Sequence, residues 1–188
     1  FDSEDPLKVI RVNAEGAVSY RALLFIPSKA PYNYYTKEYE AGLQLYSSGV
    51  MIMESCSDLL PECFRFVKGV VDSQDLSLNI SREMLQHDRQ VRIIANSLEK
   101  RIKSELKKMM TDEPEKYDKF FSNFGLQLKY GIVNNFGAKK DLLSDLMVFY
   151  SAKEGKPISL ADYVSAMPEE QNEIYYACGE TVAKTSML

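Results

Sequence analysis

Leu7-Lys8-Val9-Ile10-Arg11-Val12, the turn residues Asn13-Ala14-Glu15-Gly16, and then Val18, Tyr20, Ala22, Leu24 and Ile26 at every second position decide how the chain begins to fold. The first run is rich in β-branched residues, and the period of two in the second marks a strand with one buried face. Together they read as a hairpin, ended by Pro27 and the Ala30-Pro31 pair. Residues 32–42 are Tyr-rich and loop-like, and Leu43 to Met53 supplies one or two more strands around Ser47-Ser48-Gly49. Asp58 to Phe66 reads as a short helix, with Pro61 in its first turn, where a missing N–H costs little. Phe66-Val67-Lys68-Gly69-Val70-Val71 is another strand, closed by Asp72-Ser73.

Beyond residue 80 the period changes. Val91, Ile94, Leu98, Ile102, Leu106 and Met109 recur three or four apart, as one apolar face of a helix of about six turns does. Lys100, Arg101, Lys103, Lys107 and Lys108 hold its other face, interleaved with Glu99 and Glu105, which suits a solvated helix better than a nucleic-acid surface. Thr111-Asp112 is expected to cap the next helix, with Pro114 in its opening turn, Tyr117, Phe120, Phe121 and Phe124 facing the core, and Gly125 interrupting it. Asp141 to Tyr150 reads as a further amphipathic helix through Leu142, Leu143, Leu146, Phe149 and Tyr150. Ser159-Leu160-Ala161-Asp162 has the form of a capping box, with Asp for the usual Glu, opening a short helix that Pro168 ends. Ile174-Tyr175-Tyr176-Ala177-Cys178 reads as a strand, which needs partners to bury its faces.

The composition narrows what such a fold can do. With 188 residues, 45% of them apolar, the chain buries a core and is no disordered segment. A net charge of −4 counts against a protein that neutralises phosphate backbone. One His, three Cys and no Trp leave little for a metal site or a Cys/His nucleophile pair. No H-E-x-x-H, G-x-S-x-G or glycine-rich phosphate loop occurs, and His87 reads as an exposed polar residue. Cys56, Cys63 and Cys178, odd in number and without a C-x-x-C pair, suit a reducing compartment and buried, inert thiols. No window approaches the ~20 apolar residues of a membrane span. Phe1-Asp2-Ser3-Glu4-Asp5-Pro6 has neither the basic nor the apolar region of a targeting peptide, and the chain is expected to be an excised piece of a longer one.

One segment carries more than packing: Val70-Val71-Asp72-Ser73-Gln74-Asp75-Leu76-Ser77-Leu78-Asn79-Ile80-Ser81-Arg82-Glu83-Met84-Leu85-Gln86. It is a strand feeding a polar loop that delivers Asn79, Ser81 and Arg82 to the start of a helix. Ser81 suits an N-cap, and Glu83 suits the positive end of the helix dipole. Backbone N–H groups at such a terminus, joined by a guanidinium, form an anion site. The same spacing also fits a solvated surface arginine, and the residues alone leave both readings open.

This run resembles the signature of the middle domain of the heat-shock protein 90 chaperones. Ala14-Glu15-Gly16, Arg21-Ala22-Leu23-Leu24-Phe25-Ile26-Pro27 and Lys29-Ala30-Pro31 look like the family's opening hairpin. Phe66 to Ser73 and Asn79 to Gln86 are similar almost letter for letter, and Asp162-Tyr163-Val164, Ile174-Tyr175-Tyr176 and Gly179-Glu180-Thr181 follow in family order. Residues 37–49 look like the bacterial rather than the eukaryotic form.

The resemblance implies an α/β (α+β) architecture: a larger layered subdomain of the ribosomal protein S5 domain 2-like type at residues 1–108, a helical connector at 109–168, and the beginning of a small α/β/α subdomain at 169–188. It implies the middle domain of an ATP-dependent chaperone. ATP and Mg2+ are then bound mainly by a preceding N-terminal domain, and a following C-terminal domain dimerises. Arg82 would reach the γ-phosphate and Gln86 would support it one turn on, since i and i+4 share a helix face. Asn79 and Ser81 would shape the loop, and Met51 would stand where the N-terminal domain docks. The implied partners are those two domains and unfolded or partly folded client proteins, with no nucleic acid and no membrane. The implied setting is the cytoplasm, as a full-length homodimer. The 188-residue piece alone is expected to be monomeric, to hold no metal or cofactor, and to hydrolyse no ATP.

The chain departs from the family's pattern at three places. Ser77 stands where many relatives have Pro in the acidic loop, and Met51 where they have Phe, a more adaptable side chain. At Cys63-Phe64, where relatives place Trp or Tyr, the aromatic is displaced or lost. Two other readings compete. A non-catalytic binding module would leave Arg82 a surface charge and use Tyr32, Tyr34, Tyr35 and Tyr39 as contact surface, if these are more than an ordinary loop. An RNA-binding domain on a similar fold is disfavoured by the net charge.

Overall fold

The computed structural model describes residues 4–77 and 88–185. Five strands, β1 (Lys8–Ala14), β2 (Tyr20–Ile26), β3 (Leu43–Ser47), β4 (Val50–Cys56) and β5 (Lys68–Asp72), form one mixed sheet in the order β1-β2-β5-β3-β4. All neighbours are antiparallel except β3 and β5. The period of two read in the sequence is the burial pattern: Tyr20, Ala22, Leu24 and Ile26 are buried, and Arg21 between them is exposed. The opening hairpin pairs in full register from Lys8 opposite Ile26 to Ala14 opposite Tyr20.

Two long helices cover the buried side. Helix α1 (Arg89–Asp112) buries Val91, Ile94, Leu98, Ile102, Leu106 and Met109, the stripe its sequence period requires. The Tyr20 hydroxyl donates to Ser97 Oγ at 2.7 Å, and Lys8 pairs with Glu105 at 3.5 Å, which places α1 over β1 and β2. Helix α2 (Pro114–Val133) begins on proline at N1 and packs Tyr117, Phe120, Phe124 and Leu128 inward. Phe66 stacks on Phe124 with ring centroids 4.9 Å apart and meets Phe120 edge-on at 5.2 Å, a preferred aromatic geometry.

Gly125 does not interrupt α2. It is buried inside the helix, where a Cβ would meet the Phe121 ring at 2.8 Å, so the glycine serves close packing rather than a break. Thr111 and Asp112 are the last residues of α1 and cap nothing; Glu113 is the hinge between the helices, without a side-chain cap bond. Residues 58–66 form two short 3-10 turns, Ser57–Leu59 and Glu62–Phe64, because Pro61 falls between them.

The segment read as a helix from Asp141 to Tyr150 is helical only at α3 (Lys140–Leu143) and a 3-10 turn, Ser144–Leu146. Its Phe149 and Tyr150 instead lie in β6 (Val148–Ser151), paired with β7 (Lys156–Ser159) in a two-stranded hairpin. Aromatic residues suit strands, and Gly155, at φ +66°, permits the turn. The Ser159–Asp162 capping box is present in both directions and opens α4 (Leu160–Ser165). Ile174–Cys178 belongs to no strand among the described residues, and a short helix α5 (Val182–Thr185) follows. Cys56 and Cys63 are buried thiols, whereas Cys178 is exposed. Burial pushes the Cys63 thiol up to about 12, with Glu99 adding and Lys139 opposing, so Cys63 is inert at neutral pH.

Part of the basic face of α1 is tied down within the molecule. Lys103 and Lys107 reach Asp145 at 3.1 and 2.9 Å, and Arg101 reaches Glu105 at 2.9 Å. Burial alone would raise the Asp145 carboxyl, but hydrogen bonds from Lys107 and Lys103 outweigh it and hold it below its ordinary 3.8. A depressed carboxylate contributes stability above its unfolded pKa and loses it as pH falls through the folded one. Asp145→Asn is therefore expected to lower the unfolding temperature at pH 7 and to shrink the loss seen below about pH 4. Gly69, at φ +142° in β5, has no room for a Cβ, which would drive into the Leu23 carbonyl of β2. Gly69→Ala is expected to destabilise the chain by about 3 kcal/mol in denaturant unfolding, against under ~0.5 kcal/mol for Gly16→Ala, where no atom stands within 4 Å.

Candidate functional site

Asn79, Ser81, Arg82 and Gln86 lie outside the described residues, as does His87. What the structure gives is the mounting on both sides of them. Before the loop, β5 ends at Asp72, and the next residues turn back onto two hairpins. The Ser73 hydroxyl, buried, donates to the Ser19 carbonyl at 2.7 Å and accepts from Asp75 N–H at 3.3 Å. Ser19 N–H donates to Asp75 Oδ2 at 2.6 Å, closing the exchange. Ser73 N–H donates to the Tyr46 carbonyl at 3.2 Å, and the buried Ser47 hydroxyl donates to the Leu76 carbonyl at 2.7 Å. Leu76 is itself buried and pins the chain to the core.

After the loop, Asp88 is the N-cap of α1. Its Oδ1 accepts from Gln90 N–H at 2.7 Å and from Val91 N–H at 3.0 Å. Two of the helix's first unpaired donors are satisfied there, and the carboxylate lies at the positive end of the helix dipole. The described chain thus stops at residue 77 beside a buried serine network and resumes at residue 88 on a capped helix. Asp72 accepts from Gly49 N–H at 3.1 and 3.2 Å, so all three carboxylates nearest the loop, Asp72, Asp75 and Asp88, are engaged by backbone donors.

Met51 is on β4, 47% exposed, beside the exposed Val50. It pairs across to Tyr46 of β3, and Tyr46 pairs with Asp72 of β5. Two strand spacings, about 10 Å, therefore separate Met51 from the strand end that feeds the loop. They share one end of the sheet, and the Gly49–Asp72 bond ties the β3–β4 turn to it. The sequence reading missed Ser47, Ser73, Asp75 and Asp88 as mounting residues. Asp-Ser-x-Asp after a strand is a turn signal, and Asp88 stands directly before an apolar helical run, where caps occur.

The tyrosine segment is divided. Tyr34 and Tyr39 are buried, with the Arg65 guanidinium 5.6 and 5.0 Å from their ring centres, while Tyr32 and Tyr35 are exposed. Arg65 also donates to the Tyr39 carbonyl at 3.2 Å, and the Tyr39 hydroxyl donates back to the Arg65 carbonyl at 3.2 Å. Half of the supposed contact surface is therefore core. Phe64 is buried in the aromatic cluster, and Cys63 lines a hollow of about 210 Å³ with Gly131 and Lys139. Among the described residues no three His, Cys, Asp or Glu side chains group to hold a metal ion, and no helix is long and apolar enough to cross a membrane.

A mixed five-stranded sheet covered on one side by two long helices, followed by a small two-stranded hairpin and a short helix, is the α/β class of fold that the described residues define. The chain matches the Hsp90 protein family over residues 1–187 and belongs to that family. It is 59% identical to the chaperone protein HtpG of Clostridium botulinum strain 657, 58% to that of Alkaliphilus metalliredigens and 56% to that of Bacillus subtilis strain 168. Each match covers the whole of this chain and 30% of the relative, so the chain spans about a third of these proteins' length.

The mounting can be tested by itself. Removing the cap with Asp88→Ala is expected to cost about 1 kcal/mol in denaturant unfolding, and Asp88→Asn, which can still accept, only a fraction of that.

Proposed function

We propose that the chain is the middle part of an ATP-dependent chaperone and that its loop completes an ATPase site held by a neighbouring N-terminal domain. The observation that carries this reading is the doubly anchored loop. Ser73, Asp75 and Ser47 fix one end and Asp88 the other, on the side of the sheet that also presents Met51. Arg82 is the residue delivered to the γ-phosphate, Gln86 supports it, Asn79 and Ser81 shape the loop, and Met51 is a contact for the docking domain.

The mechanism is electrostatic. A guanidinium brought in from another domain stabilises the charge that develops on the transferring phosphoryl group and does no bond chemistry itself. The acids described on either side of the loop, Asp72, Asp75 and Asp88, are bound to backbone N–H groups. The sequence has no glycine-rich phosphate loop, and the described residues offer no carboxylate cluster for Mg2+. These donors fit a single phosphate contact rather than a nucleotide pocket, so ATP and Mg2+ are assigned to the N-terminal domain. When bound there, the nucleotide supplies the phosphoryl group and the metal ion neutralises its charge.

The wider reading has the family's shape: residues 1–108, 109–168 and 169–188 as three successive units, unfolded or partly folded clients, a dimer through a C-terminal domain, and a cytoplasmic setting. In the full-length protein, Arg82→Ala is expected to lower ATP turnover by about 10²-fold or more with ATP affinity unchanged. Near-normal turnover would leave Arg82 a surface charge and favour the binding-module reading.

A further inference from the structure

The five-stranded sheet parts along its middle. The parallel pair β3 and β5 is in register from Gln44 opposite Val70 to Tyr46 opposite Asp72. The outer pairings run further back: β2 holds β5 as far as Phe25 opposite Lys68, and β4 holds β3 as far as Leu43 opposite Cys56. Two glycines, both at φ +142°, stand where the strands part. A Cβ on Gly69 would run into the Leu23 carbonyl of β2, and one on Gly42 would stand 2.6 Å from Ser55 Oγ and 3.0 Å from the Cys56 backbone of β4. Each inner strand is thus drawn against its outer neighbour. Between them opens a furrow of about 600 Å³, whose lining includes Phe25, Val70, Gln44, Lys68, Glu40 and Glu54.

The furrow faces away from the two long helices. Phe25 and Val70 alternate with the buried Leu24 and Val71, so both stand on the uncovered side of the sheet and give the furrow an apolar floor. Its volume falls within the roughly 300–1,000 Å³ of small-molecule sites. Most of its polar side chains are engaged within the chain. Ser55 Oγ donates to the Ala41 carbonyl at 2.9 Å, Gln44 Oε1 accepts from the Tyr46 hydroxyl at 3.4 Å, and the Lys68 ammonium lies 4.6 Å from the centre of the Tyr39 ring. Glu40 and Glu54 differ: both are exposed, and among the described residues neither forms an ion pair nor accepts a hydrogen bond. Lys68 therefore neutralises neither carboxylate at ion-pair distance.

We infer that this furrow binds an aliphatic polyamine, with ammonium groups on Glu40 and Glu54 and methylenes along Phe25 and Val70. One exposed ion pair contributes little, but two made by the same ligand reinforce each other, because the second forms within the complex. The apolar floor adds burial of the methylene chain, which a hydrated metal ion cannot use. Among the described residues no three ligating side chains group to hold such an ion. The inference is independent of the role assigned to Arg82.

The test is isothermal titration calorimetry of the 188-residue chain with spermidine, butylamine and Mg2+ at low salt. Spermidine is expected to occupy a single site, about tenfold more tightly than butylamine or Mg2+, with affinity falling as salt rises. Glu40→Gln and Glu54→Gln should each weaken spermidine about threefold, and the two together about tenfold. The unfolding temperature should not move, since both side chains are exposed. Removing two charges elsewhere, by Glu169→Gln with Glu170→Gln, should leave binding unchanged. Absence of spermidine binding, equal affinity for Mg2+, or full affinity in the Glu40 and Glu54 double variant would each overturn the proposal. An equal loss in the Glu169 and Glu170 double variant would overturn it too, because the binding would then follow the net charge of the chain.

Discussion

Ser73 makes the structure cohere at the end of the sheet that precedes residue 78. Its hydroxyl is buried, gives its proton to the Ser19 carbonyl and takes one from Asp75 N–H, while its own N–H binds the Tyr46 carbonyl. Those partners come from the β1–β2 turn, from β3 and from the loop itself. A buried hydroxyl with its bonds made contributes modestly, but one stripped of partners carries the whole desolvation cost. The network is therefore most stable with all three segments in one arrangement, and in that arrangement the following residues leave the sheet in one direction. Gly69 adds a steric constraint on the same strand, since β5 lies against β2 too closely for a side chain there.

Where local pattern and tertiary environment agree, the sequence is legible. The β2 alternation and the α1 stripe are read correctly because each element buries one face against one partner, so period and burial coincide. At residues 141–150 they part. The same leucines and aromatics satisfy helical spacing, yet Phe149 and Tyr150 turn outward on a hairpin, and periodicity has no term for a competing strand partner. Ile174–Cys178 shows the converse: a strand-like composition that, among the described residues, pairs with no other segment and forms no strand. Gly125 was misread for a third reason, that helix propensity is weighed in isolation while the Phe121 ring occupies the space a side chain would need.

The site was legible to a different degree. Arg82 and its neighbours stand out by composition and by resemblance, whereas the described residues on either side of them do not. Ser47, Ser73 and Asp75 are small polar residues of the sort found in any turn, and their value comes from partners 29, 54 and 56 positions away in the chain. Such pairings depend on β5 inserting between β2 and β3, a crossover order that no local pattern encodes. Asp88 is the exception, since a cap acts on donors two and three residues ahead.

Charge is compensated differently in different parts of the scaffold. On either side of residues 78–87 the described acids Asp72, Asp75 and Asp88 each accept from a backbone donor. On α1, Lys103 and Lys107 are bound by Asp145 and part of the basic face is structural. Along the second half of α2 the one cation, Lys129, lies over the Phe121 and Phe149 rings, while Leu126, Tyr130 and Val133 face solvent. Exposed charge costs little, but exposed apolar area beside it gives up burial free energy of about 25 cal/mol for each Å² that could have been covered. The exposed stripe of α2 therefore leaves burial free energy unused, whereas Asp72, Asp75, Asp88 and Asp145 each meet a donor inside the domain.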